Sequence, residues 1–237
     1  MSIASRIKNK LKRPPPPPPN YKKCYAQSGE DMIMAFIVYR LKLQHVTYLD
    51  IGSHHPFFLS NTAAFYESGS TGVCIEPDPV LFKAIAAERK RDVCLNVGIG
   101  IDNQSSADFY VMSEKTLNTF SKEDALRYES YGNKKIEQVI KVPLVNVNDV
   151  MSKYFKPYPT IVSLDTEGFD MEILKSMDFK KFRPQIFCIE TITYTENGTE
   201  EKLIPILEFM KQNDYFVYAD TYINSIFIDK HIWDSKK

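Results

Sequence analysis

The chain has 237 residues, 43% hydrophobic and 13% aromatic, with 30 basic side chains against 30 acidic ones. This length and composition predict one folded globular domain, and the charge balance argues against nucleic-acid binding, which needs a clustered basic excess. No apolar run approaches the roughly 20 residues that cross a bilayer, and no signal-peptide core is read at the start, so a cytoplasmic protein is expected.

Residues 1–20 read as a basic, proline-rich arm. Ile3, Ile7 and Leu11 fall at helical spacing and Pro14 to Pro19 form an unbroken run. Such a run is a stiff extended spacer, and the basic segment is either a polar tail or a peripheral contact with a membrane surface or a partner protein. The folded domain is placed at 21–237. Its first helix follows Q-S-G-E-D at 27–31, with Ser28 as the expected N-cap and Glu30 and Asp31 at the positive end of the helix dipole.

V-T-Y-L-D-I-G at 46–52 is a near-continuous apolar run that ends on Asp50 and breaks at Gly52, the pattern of a buried parallel strand followed by a tight turn. After a short helix capped from Ser60 or Asn61 and closed by Gly69, T-G-V-C-I-E-P repeats the pattern and ends on Glu76. An acid at the end of the second strand of a βαβ unit suits a ribose hydroxyl pair. A helix is expected over 79–91, with Leu81, Phe82, Ile85 and Ala86 on one face, then a third strand that breaks at Gly98. Residues 101–150 lose this rhythm and read as an insertion that shapes the acceptor site, with T-L-N-T-F inside it and Tyr110, Asn118, Tyr128 and Tyr131 as candidate contacts.

The rhythm returns at T-I-V-S-L-D, ending on Asp165. T-E-G and a helix with Met171, Ile173, Leu174 and Met177 follow, then Q-I-F-C-I-E-T, ending on Glu190. A helix over 200–213, an antiparallel strand pair about Thr221-Tyr222 and a polar tail from Lys230 complete the chain. Cys74, Cys94 and Cys188 fall inside strands with no C-x-x-C spacing, as buried hydrophobes do. The sequons at Asn103 and Asn197 are taken as coincidental.

Asp50, Glu76, Asp165 and Glu190 all close predicted parallel strands, so their carboxylates should converge on one edge of the sheet. The implied ligand offers hydroxyl or ammonium donors. There is no G-x-x-x-x-G-K-[ST] and no full G-x-G-x-x-G to cradle phosphates, so a nucleoside bearing an amino acid suits the edge better than a dinucleotide or ATP.

The set D-I-G-S-H-H-P with S-N-T, G-V-C-I-E-P-D-P, N-V-G, D-T-E-G-F-D-M-E-I-L and R-P-Q-I-F-C-I-E-T resembles the FkbM family of S-adenosylmethionine-dependent methyltransferases, and Q-S-G-E-D resembles its N-terminal motif. The resemblance runs from about residue 25 to 228. It implies an α/β, Rossmann-like class I methyltransferase fold, a mostly parallel seven-stranded sheet with helices on both faces, and O-methylation of a sugar hydroxyl in a glycan, polysaccharide or glycosylated metabolite. Carried over by position, Asp50, Gly52 and Ser53 would form the methionine-side loop, and Glu76 followed by Pro77 would meet the ribose. The Asn96–Gly98 turn would flank the adenine, and Asp165 would face the methionine ammonium or the acceptor. Gln27, Glu30 and Asn61 would border the pocket.

The acceptor hydroxyl must lose its proton, and His54, His55, Glu167 and Glu190 are the candidate bases. His55 is preferred of the two histidines because it abuts Pro56, and both could instead hold the turn. Asp165 and Glu190 could bind Mg²⁺, although the lysine that cation-dependent relatives place nearby is replaced by Gly168 and Phe169. A nicotinamide-dependent oxidoreductase and a non-catalytic scaffold are the alternatives. The first lacks its glycine fingerprint, and the second would not need every strand-end acid.

Overall fold

The computed structural model describes residues 23–102, 104–195 and 198–236. The arm and the two sequon asparagines therefore lie outside the described residues. Strands β1 (Thr47–Ile51), β2 (Thr71–Ile75), β3 (Val93–Leu95), β7 (Ile161–Leu164), β8 (Ile186–Glu190), β9 (Tyr215–Asp220) and β10 (Asn224–Asp229) make one seven-stranded sheet in the order β3-β2-β1-β7-β8-β10-β9. Only β10 runs against its neighbours; the other pairings are parallel. The expected mostly parallel α/β sheet is what forms.

Strand side chains alternate in direction, and the core divides accordingly. Leu49, Ile51, Val73, Ile75, Val162, Leu164, Phe187 and Ile189 pack with helices α5 (Val147–Tyr154), α6 (Asp170–Ser176) and α7 (Ile204–Gln212). Tyr48, Cys74, Ile161, Ile186 and Cys188 face the other way, onto α1 (Glu30–Leu41), α2 (Ala63–Glu67) and α3 (Pro79–Glu88). Both faces of the sheet are thus covered, which is why the strands read as unbroken apolar runs. Strand order reverses between β1 and β7, and that switch point opens a crevice at the carboxyl ends of the strands.

A second sheet sits beside this edge. Residues 96–97 leave β3, and β4 (Gly98–Gly100) pairs with β6 (Ile136–Asn146), which also pairs with β5 (Ser106–Met112), in the order β4-β6-β5. A 3₁₀ turn at Lys115–Leu117 and helix α4 (Lys122–Ser130) fill the connection between β5 and β6. This unit occupies the stretch read as an insertion, but Val147 and Val150 already belong to α5 in the main core.

Several local expectations change. Gly98 does not end a strand; it opens β4, and a Cβ there would come within 2.4 Å of the Phe120 ring and 2.8 Å of Leu144. Ser28 does not cap α1. Gly29, at φ 93°, occupies the cap position, and the Ser28 N–H donates to Glu30 instead. Helix α3 stops at Glu88 because Arg89 turns into the interior. The tail forms helix α8 (Lys230–Asp234), held by Trp233 against Phe216 and Tyr218.

Candidate functional site

Asp50, Glu76, Asp165 and Glu190 all border one cavity of about 500 Å³ at the switch point. The register explains the convergence. Asp50 lies opposite Ser163 of β7, and Ser163 opposite Cys188 of β8. Two residues beyond these partners come Asp165 and Glu190, on the same side of the pleat.

The wall nearest β1 is built on a buried arginine. Arg89 is 1% exposed; its Nε–H donates to the Pro56 carbonyl, and its terminal nitrogens donate to the hydroxyls of Ser60 and Thr62. The guanidinium also lies 3.8 Å from Asp50 and 3.7 Å from Asp92. Asp50 accepts a 2.5 Å hydrogen bond from Thr62. Burial raises the pKa of Asp50, and Arg89 and Thr62 oppose that rise. The carboxylate is therefore spent on holding the loop, although the residue borders the cavity. Gly52 sits at φ 82°, and a Cβ on it would fall 1.7 Å from the Asp165 carbonyl. Only glycine lets the β1 and β7 loops meet so closely. Ser53 donates to the Asp50 carbonyl, and Asn61 reaches Ser163 at 3.1 Å.

Glu76 accepts from the backbone N–H groups of His54 and Asp78, each at 2.8 Å. Burial pushes its pKa up to about 7 against the pull of those two donors. Asn96 does not line the cavity; its amide braces this turn by donating to the carbonyls of Glu76 and Pro77. Pro77, Leu81, Ile99, Phe109 and Phe120 give this end an apolar lining.

At the other end one oxygen each of Asp165, Glu167 and Glu190 lies within 4.8 Å of the others. Burial raises all three, and neighbouring carboxylates raise them further: Asp165 to about 7, and Glu167 and Glu190 well above the carboxylate range. Asp170, whose carboxylate accepts from the Thr166 N–H and hydroxyl, is pushed by burial to about 6. Glu190 shares a hydrogen bond with Asp165. Such an arrangement holds protons near neutral pH and offers oxygen ligands to a hard cation.

The histidines separate. His54 borders the cavity, at φ 53°, and burial lowers its pKa. His55 does not border it. Its Nδ1 accepts from the N–H groups of Phe57 and Phe58, so the preferred histidine is a turn-holder. Gln27 lines the cavity but Glu30 does not. Glu30 is fully buried, and its carboxylate accepts from Thr221 and Asn224, pinning α1 to the β9–β10 hairpin. Of the four insertion residues expected at the acceptor, only Asn118 lines the cavity; Tyr128 is buried against Tyr194. Sequence reasoning missed Arg89, which carries no motif, and the lining stretches 192–195 and 222–223.

The methyltransferase FkbM domain matches residues 50–217 of the chain. No curated protein matches it. Among solved structures it is similar to precorrin-6y C5,15-methyltransferase from Geobacter metallireducens, at 11% identity and TM-score 0.42, covering 83% of this chain and 87% of that one. It is similar to a TehB-like SAM-dependent methyltransferase from Corynebacterium glutamicum, at 9% identity and TM-score 0.44, with 96% of both chains covered. A third is the 1,6-didemethyltoxoflavin-N1-methyltransferase of Burkholderia thailandensis, solved with 1,6-didemethyltoxoflavin and S-adenosylhomocysteine, at 10% identity and TM-score 0.40, covering 85% of this chain and 77% of that one.

Two outcomes follow from the charges. Arg89→Met leaves Asp50 and Asp92 buried without their cation and should cost about 3–5 kcal/mol in urea unfolding; a loss under about 1 kcal/mol would remove Arg89 as the anchor. The clustered acids keep their protons to higher pH in the folded chain than in the unfolded one. The stabilisation from Asp165 is therefore complete below the unfolded value near 4 and is lost as pH rises through about 7; Glu167 and Glu190 act in the same direction. In EDTA, Glu190→Gln should melt higher than the natural protein at pH 8, by about 2–4 °C per kcal/mol relieved, and equally at pH 5. An equal melting temperature at both pH values would show that the acids do not repel.

Proposed function

The chain belongs to the FkbM methyltransferase family, and from that premise we propose that it methylates a sugar hydroxyl of a glycan or glycosylated metabolite, with S-adenosylmethionine as donor. The observation that carries the reading is the division of one cavity into two unlike ends. One has a buried acid, Glu76, next to an apolar lining; the other has three carboxylates within 4.8 Å.

The Glu76 end suits a nucleoside. Glu76 accepts from the ribose hydroxyls, Leu81, Phe109 and Phe120 enclose the base, and Gly52 and Ser53 let the backbone approach the amino-acid portion. S-adenosylmethionine supplies the electrophilic methyl when bound. The Asp165, Glu167 and Glu190 end suits a polyol, because carboxylates accept from several hydroxyls at once. As the new bond to oxygen forms, the hydroxyl proton passes to a carboxylate of this group, where burial and neighbouring acids raise the pKa, for Asp165 to about 7, toward that of a base working near neutral pH. Most of the remaining barrier reduction comes from holding oxygen and methyl in line.

His54 remains a second candidate base, but it is less suited: its backbone is tied to Glu76 at the nucleoside end, and burial and the neighbouring His55 lower its pKa. Asp165, Glu167 and Glu190 also fit Mg²⁺ by donor type and spacing, and that ion would acidify the acceptor hydroxyl when bound.

Methyl transfer from S-adenosylmethionine to a panel of mono- and oligosaccharides, read by mass spectrometry and by S-adenosylhomocysteine release, tests the reaction class. Methylation only of amines or carbon would overturn the hydroxyl assignment. Full activity in excess EDTA would assign the proton transfer to carboxylates alone, whereas loss restored by Mg²⁺ would make them metal ligands. Ribose hydroxyls stabilise ionised Glu76, so binding should release a proton. Affinity for S-adenosylhomocysteine should then weaken as pH falls below about 7, by up to about tenfold per unit. Calorimetry from pH 5 to 8 checks this, and Glu76→Gln should flatten the profile.

A further inference from the structure

Three consecutive residues in the connection between β5 and β6 tie the small sheet to the walls of the cleft. The Asn118 amide donates to Asp78 Oδ2 at 3.1 Å, while its carbonyl oxygen accepts from the Met112 N–H at 2.8 Å. Asp78 is the N-cap of α3, and its own N–H donates to Glu76. The Thr119 hydroxyl donates to the Glu167 carbonyl at 2.9 Å and accepts from the Ser121 N–H at 3.0 Å. The Phe120 ring fills the space left by Gly98 and packs against Phe109 and Phe169, with centroids 4.7 and 6.4 Å away.

Thr119 is fully buried and sits in an antiparallel bridge with Tyr110, exchanging both backbone hydrogen bonds. It does not line the cavity, so it cannot act on a ligand directly. Its partner Glu167 stands at φ 52°. That conformation is costly for a residue with a side chain and persists only where neighbours hold it. The hydroxyl of Thr119 is a buried contact in position to do so.

We infer that Asn118-Thr119-Phe120 is a strap across the cleft, in which Asn118 positions the Asp78 turn at the nucleoside end and Thr119 positions the Glu167 turn at the acceptor end. This rests on the proposed function, since it assigns the two ends their ligands. The strap makes the small sheet part of the site's frame, with each of its polar residues holding one turn. Asn118 is thereby a positioning residue for the cofactor pocket rather than an acceptor contact.

Calorimetry with S-adenosylhomocysteine and amide hydrogen exchange by mass spectrometry, with and without that ligand, test it. Asn118→Ala should weaken binding about tenfold, the value of one buried hydrogen bond, and speed exchange at 76–81. Thr119→Val keeps the shape and removes the hydroxyl. It should leave affinity within about twofold and speed exchange at 165–170 about tenfold, and Thr119→Ser should restore the natural rate. Melting temperatures check that each variant folds, and Asn118→Asp, which sets a second carboxylate against Asp78, replaces the alanine variant if that one does not fold. If exchange at 165–170 is unchanged in Thr119→Val, or affinity is unchanged in the Asn118 variant, the strap is overturned. If the natural protein does not bind S-adenosylhomocysteine at all, the cofactor reading fails instead.

Discussion

Arg89 occupies a place in the fold where an unpaired charge would be costly. Two carboxylates, Asp50 and Asp92, lie buried beside it, and each would carry a desolvation penalty of several kcal/mol without a cation. The same guanidinium takes the Pro56 carbonyl and the Ser60 and Thr62 hydroxyls. One side chain from the end of α3 therefore fixes the loop that follows β1, the strand on which the switch point is built. The same loop carries Gly52 past the Asp165 carbonyl and brings the His54 N–H onto Glu76.

The two ends of the cleft solve the problem of buried acid differently. Glu76 is met by backbone N–H groups from residues 54 and 78, fixed donors that leave room for further hydroxyls. Asp165, Glu167 and Glu190 face chiefly one another, so burial and mutual repulsion hold their protons on. The second end gathers three such groups within 4.8 Å, and in the proposed reading that is the end that takes up the acceptor's proton.

Much of this was legible in the chain. Apolar runs ending on Asp50, Glu76, Asp165 and Glu190 gave the parallel sheet, and strand periodicity placed the four acids on one edge, where the cavity lies. Roles were less legible than places. Asp50 and Glu30 are spent on internal partners, Thr62 with Arg89 and Thr221 with Asn224. His55 is spent on two backbone amides. Acids and histidines near a glycine turn look alike in sequence whether they face a ligand or the protein, because the partners that decide it are distant along the chain. Arg89 had no signal for the same reason: its partners span residues 50 to 92, and no local spacing records them.

The stretch that reads least regularly is the one that joins the site together. Residues 101–150 break the β-α rhythm because they build a separate sheet whose own core is small. A sheet of three strands with little to bury is weakly held by itself, and it gains support where Phe120 enters the space beside Gly98 and packs on Phe169. Removing the side chain at position 98 thus serves packing between two sheets rather than a turn. The dependence is mutual: the small sheet is steadied by the cleft walls, and the Glu167 turn keeps its left-handed backbone where that sheet supplies the Thr119 hydroxyl. Residues 192–195 and 222–223 line the cavity as well, outside the frame of residues 118–120.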